Sequence, residues 1–295
     1  MRRPIETLAD GLGHPEGPDI LPDGRIVFVE TYTSKILAWS AERGLHDYVV
    51  CGGGPNACLL GSDGALYITQ NGGTVGAWRA EVMNRPSIQK AWPDGRVEEL
   101  VAEVDGIALQ APNDLTFTPD GRLFFTDPTD YLPNDRKPGR LFVLEPDGSG
   151  RLLETIPAAY PNGITAEADG SVVWVESYER GIYRMRPGAP SERIAVLPEG
   201  HIPDGLKVAA NGDLWITTVL GGTVDILGAD GTFKDSLETG GAPLNCVFHE
   251  GALIITDFGD RTEVPASAPM DGRLWRIDVG VEGMPLFRGS IASPR

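Results

Sequence analysis

Residues 111 to 128 read Ala-Pro-Asn-Asp-Leu-Thr-Phe-Thr-Pro-Asp-Gly-Arg-Leu-Phe-Phe-Thr-Asp-Pro and form the clearest copy of the repeat that decides the fold. The copy opens with Pro112 and Asn113, continues as a short apolar run, and turns at the Pro-Asp-Gly of residues 119–121. A second apolar run then leads to Asp127. Two such runs joined by a turn that contains Gly predict a β-hairpin, because Gly readily adopts the positive φ of tight hairpin turns.

The same hairpin pattern occurs six times along the chain of 295 residues. Each copy is recognised by a polar opening residue close behind a Pro and by a turn Gly that follows eight positions later, or six in the last copy. The opening residues are Glu16, Asn56, Asn113, Asn162, Asp204 and Asn245. They lie about 40 to 57 residues apart, which is typical of the four-stranded blade of a propeller.

After each turn comes a strand of β-branched and aromatic residues, as at residues 26–29 and 214–217. Such nearly unbroken apolar runs are typical of strands that are buried on both faces. No segment of ten or more residues carries a sustained apolar stripe of helical period. The sequence therefore predicts an all-β fold, a six-bladed β-propeller with four-stranded blades, in which residues 1–295 form a single domain.

The ring of blades is expected to close between the two ends of the chain, which would leave no exposed sheet edge. Residues 5–8 resemble an outer strand that precedes the first copy, and the last blade is their natural partner. The C-terminal run 284–287 competes for the same outer place, and the pattern does not choose between them. Residues 74–89 and 259–271 exceed the repeat, and we predict that both are loops of the kind that shape the mouth of a site.

The net charge of the chain limits the kinds of molecule that it is expected to bind. The 25 basic and 42 acidic residues give a net charge of −17, which disfavours binding to the phosphates of nucleic acid and favours small molecules and cations. No apolar window approaches the roughly 18 residues of a membrane span, so we expect no membrane association and a soluble cytoplasmic protein. Cys51, Cys58 and Cys246 have no CxxC spacing and are expected to be buried reduced thiols.

Four of the opening residues, Glu16, Asn113, Asn162 and Asp204, come from four separate blades. The first strand of every propeller blade lines the central channel, so these side chains are predicted to converge at one end of it. Two carboxylates and two amide oxygens are hard ligands that suit Ca²⁺ or Mg²⁺ and are tolerable for Mn²⁺, with waters completing the shell. The alternative is that each residue serves its local turn, but a turn role does not explain why Glu and Asp replace Asn at two of the six openings.

A second group of side chains is predicted to contact the substrate. The second strand of each hairpin returns to the end of the channel where the opening residues lie, and polar or aromatic groups there can orient or wall a ligand. Asn56 and Asn245 complete the ring of opening residues, and His14 and His201 lie two or three residues before an opening. Local hydrogen bonding is the alternative role for each of them. The predicted substrate contacts are Asn56, Asn71, Asp127, Tyr178, His201 and Asn245.

Four motifs in order carry a resemblance to a known family, namely Pro15-Glu16-Gly17-Pro18, Pro112-Asn113-Asp114-Leu115, Pro161-Asn162-Gly163-Ile164 and Pro203-Asp204-Gly205-Leu206. Over essentially the whole chain the sequence resembles the senescence-marker-protein, gluconolactonase and luciferin-regenerating-enzyme family. The resemblance implies a six-bladed propeller that holds one catalytic divalent metal ion, usually Ca²⁺ or Zn²⁺, and hydrolyses lactones. It also implies Glu16, Asn162 and Asp204 as metal ligands, Asn113 as a ligand or substrate contact, and Asp204 as the catalytic acid and base.

The expected reaction is therefore hydrolysis of a sugar-acid lactone or another small lactone or ester. The metal would polarise the carbonyl, while Asp204 either removes a proton from water or attacks directly as a nucleophile. One alternative is phosphotriester hydrolysis, because the relative diisopropyl fluorophosphatase is similar in using four such residues to hold calcium. The other alternative is a non-hydrolytic propeller that acts as a binding protein.

Overall fold

The computed structural model describes residues 3–76, 78–259 and 271–293. Their strands form six four-stranded antiparallel sheets that are arranged as the blades of a propeller, which confirms the predicted fold. Within these ranges the only helix is a single 3-10 turn at Thr31–Thr33. None of the described residues belongs to a helix with the length and apolar character that crossing a membrane requires.

The first half of the chain builds blades I to III, preceded by a strand of the last blade, β1 (Glu6–Leu12). Blade I consists of β2 (Pro15–Ile20), β3 (Ile26–Glu30), β4 (Lys35–Ser40) and β5 (Gly44–Val50). Blade II begins with β6 (Pro55–Leu60) and β7 (Leu66–Gln70), inserts a small hairpin of β8 (Thr74–Val75) and β9 (Trp78–Arg79), and ends with β10 (Ser87–Ala91) and β11 (Val97–Val101). A second hairpin, β12 (Glu103–Val104) and β13 (Ile107–Ala108), precedes blade III, which consists of β14 (Leu115–Phe117), β15 (Leu123–Asp127), β16 (Gly139–Leu144) and β17 (Gly150–Ile156).

The second half of the chain builds blades IV to VI. Blade IV consists of β18 (Pro161–Ala166), β19 (Val172–Glu176), β20 (Gly181–Met185) and β21 (Ser191–Val196). Blade V consists of β22 (Pro203–Val208), β23 (Leu214–Thr218), β24 (Thr223–Leu227) and β25 (Phe233–Glu238). Blade VI consists of β26 (Pro243–His249), β27 (Ala252–Asp257), β28 (Gly272–Asp278) and the outer strand β1.

The N-terminal strand closes the ring. Glu6 of β1 pairs with Arg276 of β28, and the two strands run antiparallel. The outer strand of the last blade, which the sequence left open between residues 5–8 and 284–287, is therefore the N-terminal one. Of the two long segments predicted as loops, residues 74–89 contain the hairpin β8–β9 and most of β10, while residues 260–270 of the other lie outside the described part of the chain.

The second strand of every blade is buried along its whole length, because the faces of neighbouring blades pack on it. The three cysteines are buried and unpaired with one another, as expected. Around the channel the first strands approach closely where the opening motif has Gly. A Cβ added to Gly163 would lie 2.4 Å from the carbonyl oxygen of Asp204, so only Gly fits where blade IV meets blade V.

The C-terminal segment, residues 283–293, crosses the end of the channel opposite the opening residues. It starts beside blade V, where Met284 donates its backbone N–H to the carbonyl of Val208, and it ends beside blade III, where Ala292 bonds to Pro146. Leu286 packs against apolar clusters on both sides of the ring. It also lines the lower channel together with first-strand residues of blades I to V. The run that competed for the outer strand therefore covers the lower end of the propeller.

Candidate active site at the mouth of the central channel

An irregularity in strand pairing orients the opening residues. In blade I the register between the first two strands slips between Glu16 and Asp19, and in blade IV it slips between Pro161 and Ile164, on either side of Asn162. Blades II, V and VI show the same slip at their openings. A β-bulge breaks the alternation of side chains and aims one of them in a new direction, and here that direction is the channel.

A cavity of about 410 Å³ opens at this end of the channel. Five of the six opening residues line it, namely Glu16, Asn56, Asn113, Asn162 and Asp204. The structure therefore brings the four predicted metal ligands together at one cavity. Among the described residues, no Lys or Arg side chain lines the wall.

Glu16 and Asp204 form the acidic floor of the cavity. Burial raises the pKa of Glu16 well above its usual range, and the negative charges of Asp204 and Asp114 raise it further. Burial and the charge of Asp114 likewise raise the pKa of Asp204, although its contacts with Asn162 and Glu16 act in the opposite direction. Two neighbouring buried carboxyl groups cannot both be ionised without a compensating cation.

Hydrogen bonds hold the two asparagines of the predicted ligand set, Asn162 through its side-chain amide and Asn113 through its backbone carbonyl. Asn162 Nδ2 donates to Ser177 Oγ at 3.1 Å, and Ser177 Oγ donates to the carbonyl of Pro203 at 2.8 Å. The carbonyl of Asn113 accepts hydrogen bonds from Asn56 Nδ2 and from Thr69 Oγ1, at 3.0 and 2.6 Å. These contacts leave the side-chain oxygens of Asn113 and Asn162 as candidate ligands at the cavity.

The donor set fits a hard divalent cation. Two carboxylates and two amide oxygens surround one cavity, and a cation there would compensate the charges of Glu16 and Asp204. Across the three described ranges, no group of three or more His, Cys, Asp or Glu side chains is placed to hold a metal ion, so a ligand set at this cavity depends on the two amide oxygens as well. The residues that would hold a cation are thus Glu16, Asn113, Asn162 and Asp204.

Asn245, which we predicted as a substrate contact, lies below the cavity. Its Nδ2 donates to Asp114 Oδ2 at 3.3 Å, and its Oδ1 accepts from the backbone of Cys246 at 2.9 Å. The last repeat has one extra residue, Leu244, between its Pro and its Asn. A shift of one position turns a strand residue to the other face, so Leu244 lines the cavity in place of Asn245.

Asp127 belongs to a structural clamp that recurs in four blades. In each of them, the side chain of the last residue of the second strand accepts a hydrogen bond from the backbone N–H of the residue before the opening Pro. That N–H has no other partner in the strand pairing. The bonds join the N–H of His14 to Glu30, of Gly54 to Gln70, of Ala111 to Asp127 and of Ala242 to Asp257, at 2.5 to 2.7 Å. Asp127 therefore supports the opening of blade III and does not line the cavity, contrary to its predicted place.

Tyr178 and His201 also lie outside the cavity wall. The Tyr178 hydroxyl accepts from the backbone N–H of Leu132 at 2.8 Å, so this ring supports the rim segment 129–133 from behind. His201 Nδ1 bonds to the buried carboxylate of Asp225 at 2.8 Å. Of the predicted substrate contacts, Asn56 and Asn71 do line the cavity, and their role in binding stays a prediction.

The position two residues before the opening residue also lines the cavity in four blades, and only His14 among these four residues was singled out from the sequence. These residues are His14, Ala111, Tyr160 and Ile202. Burial lowers the pKa of His14 to about 4, so its ring is neutral near pH 7, and it packs on Tyr32 and Phe258. The repeat could have predicted this position, because each of these residues directly precedes the Pro of its opening motif.

A loop of blade III, residues 129–133, lies at the mouth of the cavity and contacts the inserted hairpin of blade II. Thr129, Asp130, Tyr131 and Pro133 line the cavity from one side. Asp130 Oδ1 accepts from the backbone N–H of Gly76 at 3.0 Å, which joins the two insertions. The segment at residues 74–89 thus borders the site, as expected, although it contains strands where a loop was predicted.

Two curated proteins described as lactonases match the chain over most of its length. The chain is 28% identical to the pentonolactonase XacC of Haloferax volcanii over an alignment that covers 94% of each chain. It is 24% identical to a gluconolactonase of Zymomonas mobilis, over 84% of this chain and 76% of that protein. These relatives support lactone hydrolysis as the activity of the chain.

A solved structure, described as the calcium-binding protein regucalcin from Agrobacterium tumefaciens, shares the fold. It has a TM-score of 0.78 and 17% identity, and the match covers 99% of this chain and 98% of that one. The family model described as SMP-30/Gluconolactonase/LRE-like region matches residues 14–259. With four family motifs at one cavity, the chain belongs to the SMP-30/gluconolactonase/LRE-like family.

Proposed function

We propose that the protein is a lactonase that depends on a divalent metal ion held by Glu16, Asn113, Asn162 and Asp204. One observation carries the proposal: two carboxyl groups, Glu16 and Asp204, lie together on the floor of a cavity whose described wall has no Lys or Arg. Burying two such groups is unfavourable unless a cation compensates them. The lactonase relatives support the reaction, because they share the chain over most of its length.

Calcium is the proposed cation. All four side chains offer oxygen, and calcium accepts mixed carboxylate, amide and water ligands without strict geometry. The regucalcin structure that shares the fold is described as calcium-binding. Magnesium and manganese are the other ions that such oxygen ligands accept, and zinc prefers nitrogen and sulfur.

Lewis-acid polarisation of the substrate carbonyl is the chemistry that the cation supplies when bound. Asp204 is the proposed general base. Its carboxylate takes a proton from the attacking water as the oxygen of that water bonds to the carbonyl carbon, and the proton then passes to the ring oxygen as the C–O bond breaks. The sum is lactone plus water giving a hydroxy acid. Asn162 holds the Asp204 carboxyl in place, and the Ser177 bond holds Asn162.

The alternative step is direct attack by Asp204 on the carbonyl, which would form an acyl anhydride with the enzyme. A single turnover in ¹⁸O-water separates the two. Water attack puts the label into the product and leaves Asp204 unlabelled. Direct attack, followed by hydrolysis at the Asp204 carbonyl of the anhydride, instead transfers an unlabelled Asp204 oxygen to the product and puts one label into the Asp204 carboxylate, which peptide mass spectrometry detects.

The experiment that tests the function combines metal analysis with a lactone panel. We expect the purified protein to contain about one divalent ion per chain, to hydrolyse lactones, and to lose activity with chelator and regain it with calcium. Asp204→Asn and Glu16→Gln should lower both metal content and lactonase rate, the rate by about 10³-fold, whereas the exposed control Glu179→Gln should behave as the parent. Wild-type activity in either site variant would refute the assignment, and a panel in which only phosphotriesters react would replace the lactone by that substrate class.

A further inference from the structure

Among the described residues, the side chains that blades V and VI contribute to the cavity wall are apolar, apart from Asp204 on the floor. Ile202 and the neighbours Val219 and Leu220 come from blade V, and Leu244 and Phe258 come from blade VI. We call these five residues the apolar wall. It rises from the floor, where Ile202 lies two positions before Asp204, to the rim, where Leu220 is 53% exposed.

The apolar wall is built before any ligand binds. Leu244 and Phe258 are each only 4% exposed and form a cluster with Ala242, against which Val219 packs. The ring of Phe258 also packs on His14 at the floor, with 5.0 Å between ring centroids. A ligand on this wall would bury apolar surface without first ordering the protein, which favours affinity.

Apart from Asp204, the polar side chains that line the cavity come from blades I to IV, and several of them are already engaged within the protein. Asn71 Oδ1 already accepts from the backbone of Gly73 and Thr74, and Ser177 Oγ is engaged with Asn162 and Pro203. His14 Nδ1 is engaged with Thr31 Oγ1. A hydroxyl that leaves water without a new hydrogen bond is strongly disfavoured, so the apolar wall selects against sugar-like rings.

We infer that this site takes lactones that carry an aliphatic or aromatic chain, with the carbonyl above Glu16 and Asp204 and the chain along the apolar wall. The inference rests on the proposed lactonase function for the reaction and names its substrate class. The exposed Leu220 marks the direction in which the chain leaves the floor. A polyhydroxylated sugar lactone is thereby a poorer substrate than an alkyl lactone of the same ring size.

A homologous series measures this preference. The γ-lactones with no chain, a methyl, a butyl and a hexyl chain at the same carbon present one reactive ring with growing apolar area. Each buried methylene should raise kcat/KM about threefold until the wall is covered, so the hexyl compound should exceed the methyl compound by at least about 30-fold. D-Glucono-1,4-lactone, which has the same five-membered ring and is assayed with the calcium-loaded protein, should fall below the hexyl compound. A flat series or a faster sugar lactone would overturn the inference.

A matched pair of variants shows whether the wall carries the preference. Val219→Thr keeps the shape of the side chain and adds one hydroxyl, and we expect it to lower the hexyl-to-methyl ratio of kcat/KM about fivefold. The control is Val196→Thr on the outer strand β21, where Val196 is 49% exposed, and its ratio should equal that of the parent. Equal ratios in both variants would contradict a role for the wall.

Binding without turnover separates this inference from the proposed function. The ketones 2-hexylcyclopentanone and cyclopentanone resemble the ring but cannot be hydrolysed, and calorimetry measures their affinities. We expect the hexyl ketone to bind at least about tenfold more tightly, with Val219→Thr reducing the difference. If the hexyl ketone binds more tightly but no lactone reacts, the proposed lactonase function is wrong and the apolar binding site is supported. If lactones react but neither lactone turnover nor ketone binding depends on the alkyl chain, the lactonase function is supported and the inferred substrate class is wrong.

Discussion

Arg288 forms a two-pronged ion pair with Asp19, although the two residues lie near opposite ends of the chain. Arg288 Nη2 donates to Asp19 Oδ1 at 2.8 Å, and Nη1 donates to Oδ2. The Asp19 side chain is fully buried and also accepts from the backbone N–H groups of Ile20 and Leu60. The pair thus fastens the C-terminal segment to the first strand of blade I and to blade II.

Arg288→Met should destabilise the protein by about 3 kcal/mol, because it leaves the buried Asp19 carboxylate without its cationic partner. Urea unfolding of the metal-free protein measures the change in the free energy of unfolding. The control is Arg151→Met, which removes an exposed pair with Glu145 and should cost less than about 1 kcal/mol. Equal losses in the two variants would show that the C-terminal segment is held by other contacts.

Ser177→Ala should weaken calcium binding about tenfold, because it frees the Asn162 amide to rotate away from the site. The change also leaves the Pro203 carbonyl without its hydrogen bond and should cost about 1 kcal/mol of stability. Calorimetric titration with calcium measures the affinity, and the exposed Ser149→Ala is the control. An unchanged affinity would mean that Asn162 is not a ligand or is positioned by other groups.

Glu176→Gln should change how stability depends on pH. Burial, with a smaller effect from the charge of Glu154, raises the pKa of Glu176 to about 7 despite a hydrogen bond from Trp174. The folded protein therefore holds a proton there that the unfolded chain releases near pH 4.5, so stability falls as pH rises from about 4.5 to 7 and is level above.

Glutamine keeps an acceptor for Trp174 and removes this titration. We expect the variant to gain on the order of 1 kcal/mol over the parent at pH 8 relative to pH 4, after allowance for partial solvent contact. Thermal or urea unfolding across this pH range measures the difference. The exposed Glu98→Gln should leave the profile unaltered, and a Glu176→Gln profile parallel to that of the parent would contradict the buried titration.

Gly163→Ala should separate blades IV and V at the floor of the site. The new Cβ would meet the Asp204 carbonyl at 2.4 Å and Gly205 Cα at 2.7 Å, and relieving this overlap should cost about 3 kcal/mol. Because Gly163 follows Asn162 directly, calcium affinity should fall as well. Gly24→Ala tests turn strain alone, since its Cβ meets nothing within 4 Å, and it should cost about 1 kcal/mol and spare the affinity.

The repeat made the fold and the floor of the site predictable, because both recur in register. Once six hairpins are aligned, the channel position of Glu16, Asn113, Asn162 and Asp204 follows from propeller geometry. The ligand roles of these residues remain to be measured. The extra Leu244 shows how exact the register must be, because one inserted residue exchanged a predicted contact, Asn245, for an apolar one.

The predicted substrate contacts that lie outside the cavity depend on the direction in which a side chain points at the end of a strand. Residue type alone does not determine that direction. Asp127 looked like a ligand contact, yet a backbone N–H before the Pro of its own opening required an acceptor, and the same need recurs at Glu30 and Asp257. His14 and His201 looked equivalent from their distances to an opening. The one-residue difference between them puts His14 at the cavity and His201 against Asp225.

The C-terminal segment has a kinetic consequence through Leu286. Leu286 lies among the first strands at the lower end of the channel, so within the described part of the chain a ligand reaches the floor from the upper mouth. In the proposed reaction, the hydroxy acid formed there would depart by the route on which the next lactone arrives, so the two would exclude each other. Product inhibition should accordingly be competitive, and the anionic product leaves a protein whose net charge of −17 repels it.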